Sequence, residues 1–364
     1  MAFDFPANPT PGTAYRPAGG PSYVWDGTTW AIEAGVVSSV TTAETRSRIV
    51  NGAMQHSQEN GNTAGTTNTY FPADQWPLFM FSGGAVSYQR VQVVTPNGSK
   101  DRLRLTVTTP LASLAAGSWL AMYQNIEGIR VADFRYGLAS AKQSILRFGF
   151  KAPAGVYSAT IRNSAATRCY VANFTISAGQ ANTDTEQVLV IPGDITGAWL
   201  TDTGIGMLLT ITVAAGSTYI GVSGWQAAAN AFATASNTNG WATNGNTFEL
   251  FDVSLHLDPQ NTGIAPPWTM PDEAQELAAC MRYWQKLTGY IAGYGTAPGF
   301  QGRLSTAITP MRVAGALAFS GVTNSNCTGP TNYGTSPFIL SANVVSAAAG
   351  NFVSDSFISL NARM

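Results

Sequence analysis

Catalysis near neutral pH needs titratable groups held close together, and this chain offers few. His56 and His256 are its two histidines, the residue type whose ordinary pKa lies in that range. His256 falls within FELFDVSLHLD (Phe248 to Asp258), on the polar side of an alternating run, so it reads as a surface residue. His56 lies in the Asn-Gly-bounded NGAMQHSQENG and reads the same way. With no third histidine and no His-x-x-x-His spacing, a zinc site is not expected. Glycosidic cleavage needs two carboxyl groups about 5–10 Å apart. Asp194 and Asp202, either side of Trp199 in IPGDITGAWLTDTG, come nearest to such a pair. The plainer reading makes both turn residues whose carboxylates accept nearby backbone N–H groups. No G-x-S-x-G elbow, P-loop or dinucleotide fingerprint occurs. The expectation is therefore a protein without catalytic residues, bound metal or cofactor. Acidic turns could hold a structural calcium by oxygen ligands, but no dense Asp-x-Asp series marks one.

Binding chemistry is more visible. Trp241 sits in SNTNGWATNGNTF, one large flat ring among amides, hydroxyls and glycines. Sugars bind such rings by apolar stacking with amide hydrogen bonds alongside, which makes Trp241 a candidate glycan platform; the alternative is a plug at the end of a sandwich. Trp225, in GVSGWQAAAN, reads as core. Cys169, Cys280 and Cys327 are odd in number and lack C-x-x-C spacing, so neither a disulfide framework nor a zinc site follows.

The elements that must position these residues are mostly strands. Residues 102–108, 147–151, 170–177, 186–191, 208–213, 219–222 and 248–258 form short alternating runs separated by Gly, Asn, Asp and Pro turns, which indicates an antiparallel sandwich and most simply a jelly roll. Further strands are expected at 304–309, 313–322, 338–345 and 352–362. One stretch differs. In PDEAQELAACMRYWQKL, from Pro271 to Leu287, residues Ala274, Leu277, Cys280, Met281, Trp284 and Leu287 recur at helical steps and predict one amphipathic helix. Asp272, Glu273 and Glu276 crowd its positive end, with Arg282 and Lys286 near the negative end. Its seam, Leu277, Cys280, Met281 and Trp284, must be covered by the flanking modules or by copies of the chain. At the front, prolines exclude a helix, and Tyr23, Val24 and Trp25, then Asp26-Gly27, then Thr28, Thr29 and Trp30 spell a hairpin. An isolated hairpin is marginal, so Tyr23, Trp25 and Trp30 suggest a peg docking on another protein, against the alternative of a disordered tail. TTAETRSRIV (41–50) fits a short helix or a linker equally.

Charged residues make up only 11% of the 364, where about a quarter is usual. A surface so poor in ions is a hydroxyl and amide surface, or one that faces partner subunits. The net charge is −1, with 19 basic and 20 acidic residues spread along the chain, and nucleic-acid binding is not expected of such a balance. Neither an apolar leader at the amino terminus nor a run of roughly 20 apolar residues is present, so no signal peptide or membrane insertion is expected.

A resemblance organises these parts. FDFPANPTPGTAY followed by YVWDGTTW resembles the amino-terminal segment of tail fibres and related virion proteins of tailed bacteriophages. NGAMQHSQENG with Trp76 downstream is similar to the family's NG-x-F and DRW opening, though Ala53-Met54 and Asp74-Gln75-Trp76 are looser. IEGIRVADF (126–134), LRFGFKAPAGVY (146–157), FELFDVSLHLD and ELAACMRYW (276–284, against the family's EELALCQRYY) follow in a consistent order. The resemblance implies an all-β protein: a virion-docking segment at 1–36, a linker at 37–48, a sandwich like that of carbohydrate-binding modules at 49–258, connector and helix at 259–289, and a β module at 290–364. The last would bury little alone, and a homotrimer is expected to supply the missing core. The implied partners are other virion proteins and host surface glycan, and the implied location is the phage particle.

Overall fold

The computed structural model describes residues 5–15, 22–32, 42–81, 83–227 and 230–364. It forms two compact units, Met1–Thr42 and Ala43–Met364. In the first, β1 (Ala14–Tyr15), β2 (Tyr23–Trp25) and β3 (Trp30–Ile32) make an antiparallel sheet. The expected hairpin is present, with Trp25 opposite Trp30. Its loop holds Asp26 to Thr29, longer than the two-residue turn that Asp-Gly suggests. The reason is the Asp26 carboxylate, whose Oδ1 accepts the N–H groups of Thr28 and Thr29 at 2.7 Å each. Those donors hold Asp26 well below the usual carboxylate range.

The second unit is the expected antiparallel jelly-roll sandwich with a small β module behind it. Its larger part comprises β4 (Leu78–Phe81), β5 (Ala85–Val91), β6 (Arg102–Thr109), β7 (Trp119–Glu127), the one-turn helix α1 (Gly128–Val131), β8 (Gln143–Lys151), β9 (Gly155–Arg162), β10 (Cys169–Ile176), β11 (Thr185–Ile191), β12 (Ile205–Ala215), β13 (Ile220–Gly221), β14 (Gly224–Gln226), β15 (Ala233–Thr234) and β16 (Thr247–Asp258). A six-stranded sheet runs β14-β10-β9-β12-β7-β4, and a five-stranded sheet runs β11-β8-β16-β6-β5. Alternation along each strand sends one set of side chains between the sheets. Leu209, Ile211, Ala159, Ile161, Leu120 and Met122 from the first meet Phe148, Phe150, Phe248, Leu250, Leu103 and Leu105 from the second in one continuous core.

Residues 43–48 form neither a helix nor a free linker. They run extended along β16, with the N–H groups of Ala43, Glu44 and Arg48 donating to the carbonyls of Ile264, Leu257 and Leu255 at 2.8–2.9 Å. The sandwich therefore begins before residue 49. Helix α2 (Glu273–Met281) has Asp272 as its cap, whose Oδ1 accepts the Gln275 N–H at 2.9 Å. It is shorter than its hydrophobic spacing suggests. From Trp284 the chain becomes β17 (Trp284–Gly295), paired along its whole length with β22 (Gly350–Asn361). Lys286 thus lies on a strand, because twelve residues of ladder outweigh two more helical turns. Between them come β18 (Gln301–Ala307), β19 (Ala316–Ser325), β20 (Cys327–Thr335) and β21 (Ile339–Ser346), giving two three-stranded sheets, β17-β22-β19 and β18-β21-β20.

Candidate functional site

The edge strand β4 and its neighbour β7 set the geometry of the most conspicuous surface feature. Phe79 pairs with Ala121 and Phe81 with Trp119. Side chains two apart share a face, so Phe79, Phe81, Trp119 and Tyr123 all stand on the outer side of the six-stranded sheet. Phe81 stacks on Trp119 with centroids 5.0 Å apart. Phe79 meets Tyr123 at 4.8 Å and Trp119 at 5.2 Å. Tyr219 closes the belt, edge-on to Trp119 at 4.9 Å and stacked on Phe232 at 4.7 Å. Phe81 is 62% exposed. A shallow hollow of about 580 Å³ opens beside it, with Asn68, Met80, Gly117 and Ser118 in its lining.

Inward from the belt the same face turns polar. Tyr123, Thr210 and Thr160 lie opposite one another across β7, β12 and β9. The buried hydroxyls of Thr160 and Thr210 have no hydrogen-bond partner. Arg162 lies over the Phe232 ring at 4.4 Å and donates from Nη1 to Asn230 Oδ1 at 2.7 Å, while its Nε has no partner. Burial lowers its pKa to about 10. Segment 230–234 straps this polar end, with Thr212 Oγ1 donating to the Phe232 carbonyl at 2.7 Å and Asn173 Nδ2 to Thr234 Oγ1 at 2.8 Å. The arrangement offers flat apolar rings, open at Phe81, of the kind on which a sugar stacks, while the Thr160 and Thr210 hydroxyls and the Arg162 guanidinium are buried beside them.

The residues singled out from the sequence lie elsewhere. Trp241 is wholly buried in the sandwich core, so it plugs the sandwich and has no face to offer a sugar. Tyr23, Trp25 and Trp30 are half-buried in the first unit, where Phe5 stacks on Trp30 at 5.2 Å and meets Tyr23 edge-on at 4.9 Å. The helix seam is covered from within the chain. Cys280 and Tyr283 cluster with Val50, with Ala279 and Met364 packed against them. Leu277 and Met281 are half-buried. Trp284 is buried too, but on β17 and under the Arg363 guanidinium.

Asp194 and Asp202 are turn residues. Asp202 Oδ1 accepts the Gly204 N–H at 2.8 Å. Asp194 is held by Arg168 through two bonds, at 2.5 and 3.1 Å, and by Trp199 Nε1 at 3.0 Å. These partners outweigh burial and keep its pKa below the usual value, the opposite of what a general acid requires. Cys169, Cys280 and Cys327 are buried free thiols. Among the described residues no group of three or more His, Cys, Asp or Glu is placed to hold a metal, and no helix is long and apolar enough to cross a membrane.

His256 is a correction. Residues 43–48 pair alongside β16, where the carbonyls of Glu44 and Arg46 meet the ring, and the connector lies over this side of the strand, leaving His256 5% exposed. Burial, with Arg147 and Arg48 nearby, lowers its pKa from 6.5 to about 4 against the opposing carbonyls of Glu44 and Arg46. The folded state prefers the neutral ring, so stability is full above the unfolded pKa and is lost as the pH falls from about 6.5 through 4. At about 1.4 kcal/mol per pH unit this amounts to roughly 3 kcal/mol. The difference in unfolding free energy between the native chain and His256→Asn is expected to shrink across that window; a pH-independent difference would contradict the assignment.

Comparison with known proteins finds only distant likenesses among solved structures. No protein-family model matches the chain, and no curated protein matches it. Similar solved structures include the family 11 carbohydrate-binding module of a Clostridium thermocellum cellulase (12% identity, TM-score 0.26, covering 54% of this chain and 96% of that one). They also include the enzymatically active domain of bacteriophage CBA120 tailspike protein 4 (12%, TM-score 0.32, 58% and 21%) and the MgGH51 α-L-arabinofuranosidase (10%, TM-score 0.30, 55% and 26%). The chain thus spans about a quarter or less of the length of the last two.

Proposed function

We propose that this chain is a virion protein of a tailed bacteriophage, of the tail-fibre or fibre-adaptor kind, that adsorbs to host surface glycan without cutting it. The observation that carries the reading is the aromatic belt of Phe79, Phe81, Trp119, Tyr123 and Tyr219, open at Phe81. Apolar rings left open on a surface have an unmet requirement that a pyranose satisfies with its C–H face. The locked state of Asp194 supports binding over hydrolysis at the acidic pair named above. The ordered motifs that resemble those of tail fibres support the virion location. The aromatic knot of the first unit suits a docking role for Tyr23, Trp25 and Trp30. Tyr290 and Tyr294, both more than half exposed on one face of β17, suit contact with further copies in a homotrimer.

The test is binding of the purified chain to surface polysaccharide from the strains that the particle infects. Phe81→Ala removes an exposed ring without opening the core, and it is expected to weaken binding roughly tenfold or more, since an aromatic contact plus its buried area is worth about 1.5–3 kcal/mol. Unchanged affinity in a folded Phe81→Ala, or no binding by the parent to any of these polysaccharides, defeats the reading.

A further inference from the structure

The hollow beside Phe81 has a neighbour. β4 is the outermost strand of its sheet, and residues 68–70 run along its open edge. The Thr69 N–H donates to the Leu78 carbonyl and the Leu78 N–H to the Tyr70 carbonyl, at 2.8 Å each, while Asn68 Oδ1 accepts the Met80 N–H at 2.9 Å. The Asn68 side chain therefore stands at this edge, and it lines two hollows at once. One is the hollow at Phe81. The other, of about 310 Å³, is bounded by Asn60, Tyr70 and Phe71 from the sandwich and by Asn361 and Arg363 from the β module. From Leu78, which pairs with Tyr70, to Phe81 is three residues of strand, about 10 Å. The two hollows together are longer than a single sugar ring.

They differ in chemistry. Around Phe81 the lining is mostly apolar, with Met80, Ala115 and Gly117. The second hollow is lined by amides, each tied at one end only. Asn60 Nδ2 donates to the Phe71 carbonyl at 2.9 Å, and Asn361 Oδ1 accepts the Arg363 N–H at 3.0 Å. An amide carries both an acceptor and donors. Asn60 therefore keeps its Oδ1, and Asn68 and Asn361, both exposed, keep their Nδ2 groups. Amides already fixed by one bond lose little freedom when the other end binds, and adjacent sugar hydroxyls, each a donor and an acceptor, match such a set. The charges in this lining are Glu59 and Arg363, and they pair with each other at 2.5 Å, which suits an uncharged sugar residue. A peptide strand fits less well. The groups of β4 to which it would add, the Leu78 N–H and carbonyl and the Met80 N–H, are already bonded.

We infer that the glycan bound at the belt is a chain of several residues, one stacked at Phe81 and the next passing Asn68 into a second subsite, where an uncharged sugar residue is held by Asn60 and Asn361. This subsite rests on the belt being a glycan site, yet the belt could bind without it. Mono-, di- and tetrasaccharide fractions from partial acid hydrolysis of the host surface polysaccharide, each titrated against the whole chain, separate the two. Affinity is expected to rise at least tenfold from the monosaccharide to the tetrasaccharide. Asn361→Asp keeps the acceptor for the Arg363 N–H and deletes only the Nδ2 donor, so the fold is retained. It is expected to weaken tetrasaccharide binding roughly fivefold, the loss of one neutral hydrogen bond, and to leave the monosaccharide unchanged, whereas Phe81→Ala weakens both. Equal affinity for the three fractions, or a tetrasaccharide that binds Asn361→Asp as tightly as the parent, overturns the second subsite and leaves the belt standing. No binding of any fraction, or parent affinity for all of them in Phe81→Ala, overturns the belt and the subsite with it.

Discussion

Trp241→Ala is expected to destabilise the sandwich by about 3–5 kcal/mol, the range for truncating a large aromatic ring in a packed core. The ring is wholly buried and its surroundings are built to hold it. A Cβ at Gly84 would stand 2.7 Å from the indole, so glycine there gives the ring its room. The Trp241 N–H donates to Asn239 Oδ1 at 3.1 Å, and its carbonyl accepts the Leu111 N–H at 2.9 Å. Asn239 Nδ2 in turn donates to the Leu111 carbonyl at 2.8 Å. The loop is thereby fixed to the segment after β6, and the indole fills the space that its closure leaves. Domains are stable by only about 5–15 kcal/mol, so the loss should be plain in the urea midpoint. Trp241→Phe should cost less, because Nε1 has no partner to lose and most of the ring volume is kept. Under conditions where the alanine variant is still folded, glycan binding should match the parent. A variant within about 1 kcal/mol of the parent would show that the ring is not a plug.

What the sequence reveals and what it conceals divide along a physical line. The sandwich is legible because a strand with one face in a core must alternate, and 102–108 and 248–258 do so. The same rule misplaces His256. Alternation tells which side of β16 faces the core, but not that the connector after it folds back over the other side, nor that residues 43–48, far off in the chain, pair alongside it. Trp241 misleads similarly, since polar neighbours along the chain are not its neighbours in space. The aromatic belt was the harder case. Phe79 and Phe81 precede Trp119 and Tyr123 by about forty residues, and they meet only through the pairing of β4 with β7. Aromatics at i and i+2, and at i and i+4, in strand-like runs were the available signal. Helix α2 was legible as a helix but not at its end. RYWQKLTGYIAGYG continues the helical spacing for a turn before its β-branched and aromatic residues commit to β22. Strand β20, broken by Gly329-Pro330, carries little strand signal and is specified by its partner β21.

Arg282→Ala is expected to separate the β module from the sandwich at a cost of about 3–5 kcal/mol, because it leaves a buried carboxylate without its charge partner. Glu127, at the end of β7, is completely buried. Arg282 grips it with both arms of the guanidinium, Nε to Oε2 at 2.7 Å and Nη2 to Oε1 at 2.6 Å, and the Tyr283 hydroxyl adds a bond of 3.0 Å. The backbone of these two residues is at the same time part of the module. The Arg282 carbonyl accepts the Arg312 N–H at 2.9 Å and the Tyr283 carbonyl the Ala362 N–H at 2.8 Å. One carboxylate on the sandwich therefore fixes the point where the module begins. Its other ties are Asn125 Nδ2 to the Met364 carbonyl at 2.8 Å, Gln58 Nε2 to the Trp284 carbonyl at 3.0 Å, Arg312 Nη1 to the Thr203 carbonyl at 2.6 Å and an ion pair of Arg363 with the half-exposed Glu59 at 2.5 Å. A neutral bond of this kind is worth about 1 kcal/mol and a partly exposed ion pair about as little, whereas the Glu127 carboxylate is wholly buried. Losing the ion pair should thus split a single unfolding transition into two, with the module melting first and limited proteolysis cutting near residue 282. The double variant Glu127→Gln with Arg282→Met removes both charges and should recover most of the loss, which a double-mutant cycle reads as coupling between the two sites. One cooperative transition at the parent temperature in Arg282→Ala would mean that the module is held by its remaining contacts, Cys280 and Tyr283 against Val50 and Arg363 against Glu59, and that the Glu127 ion pair only sets its orientation.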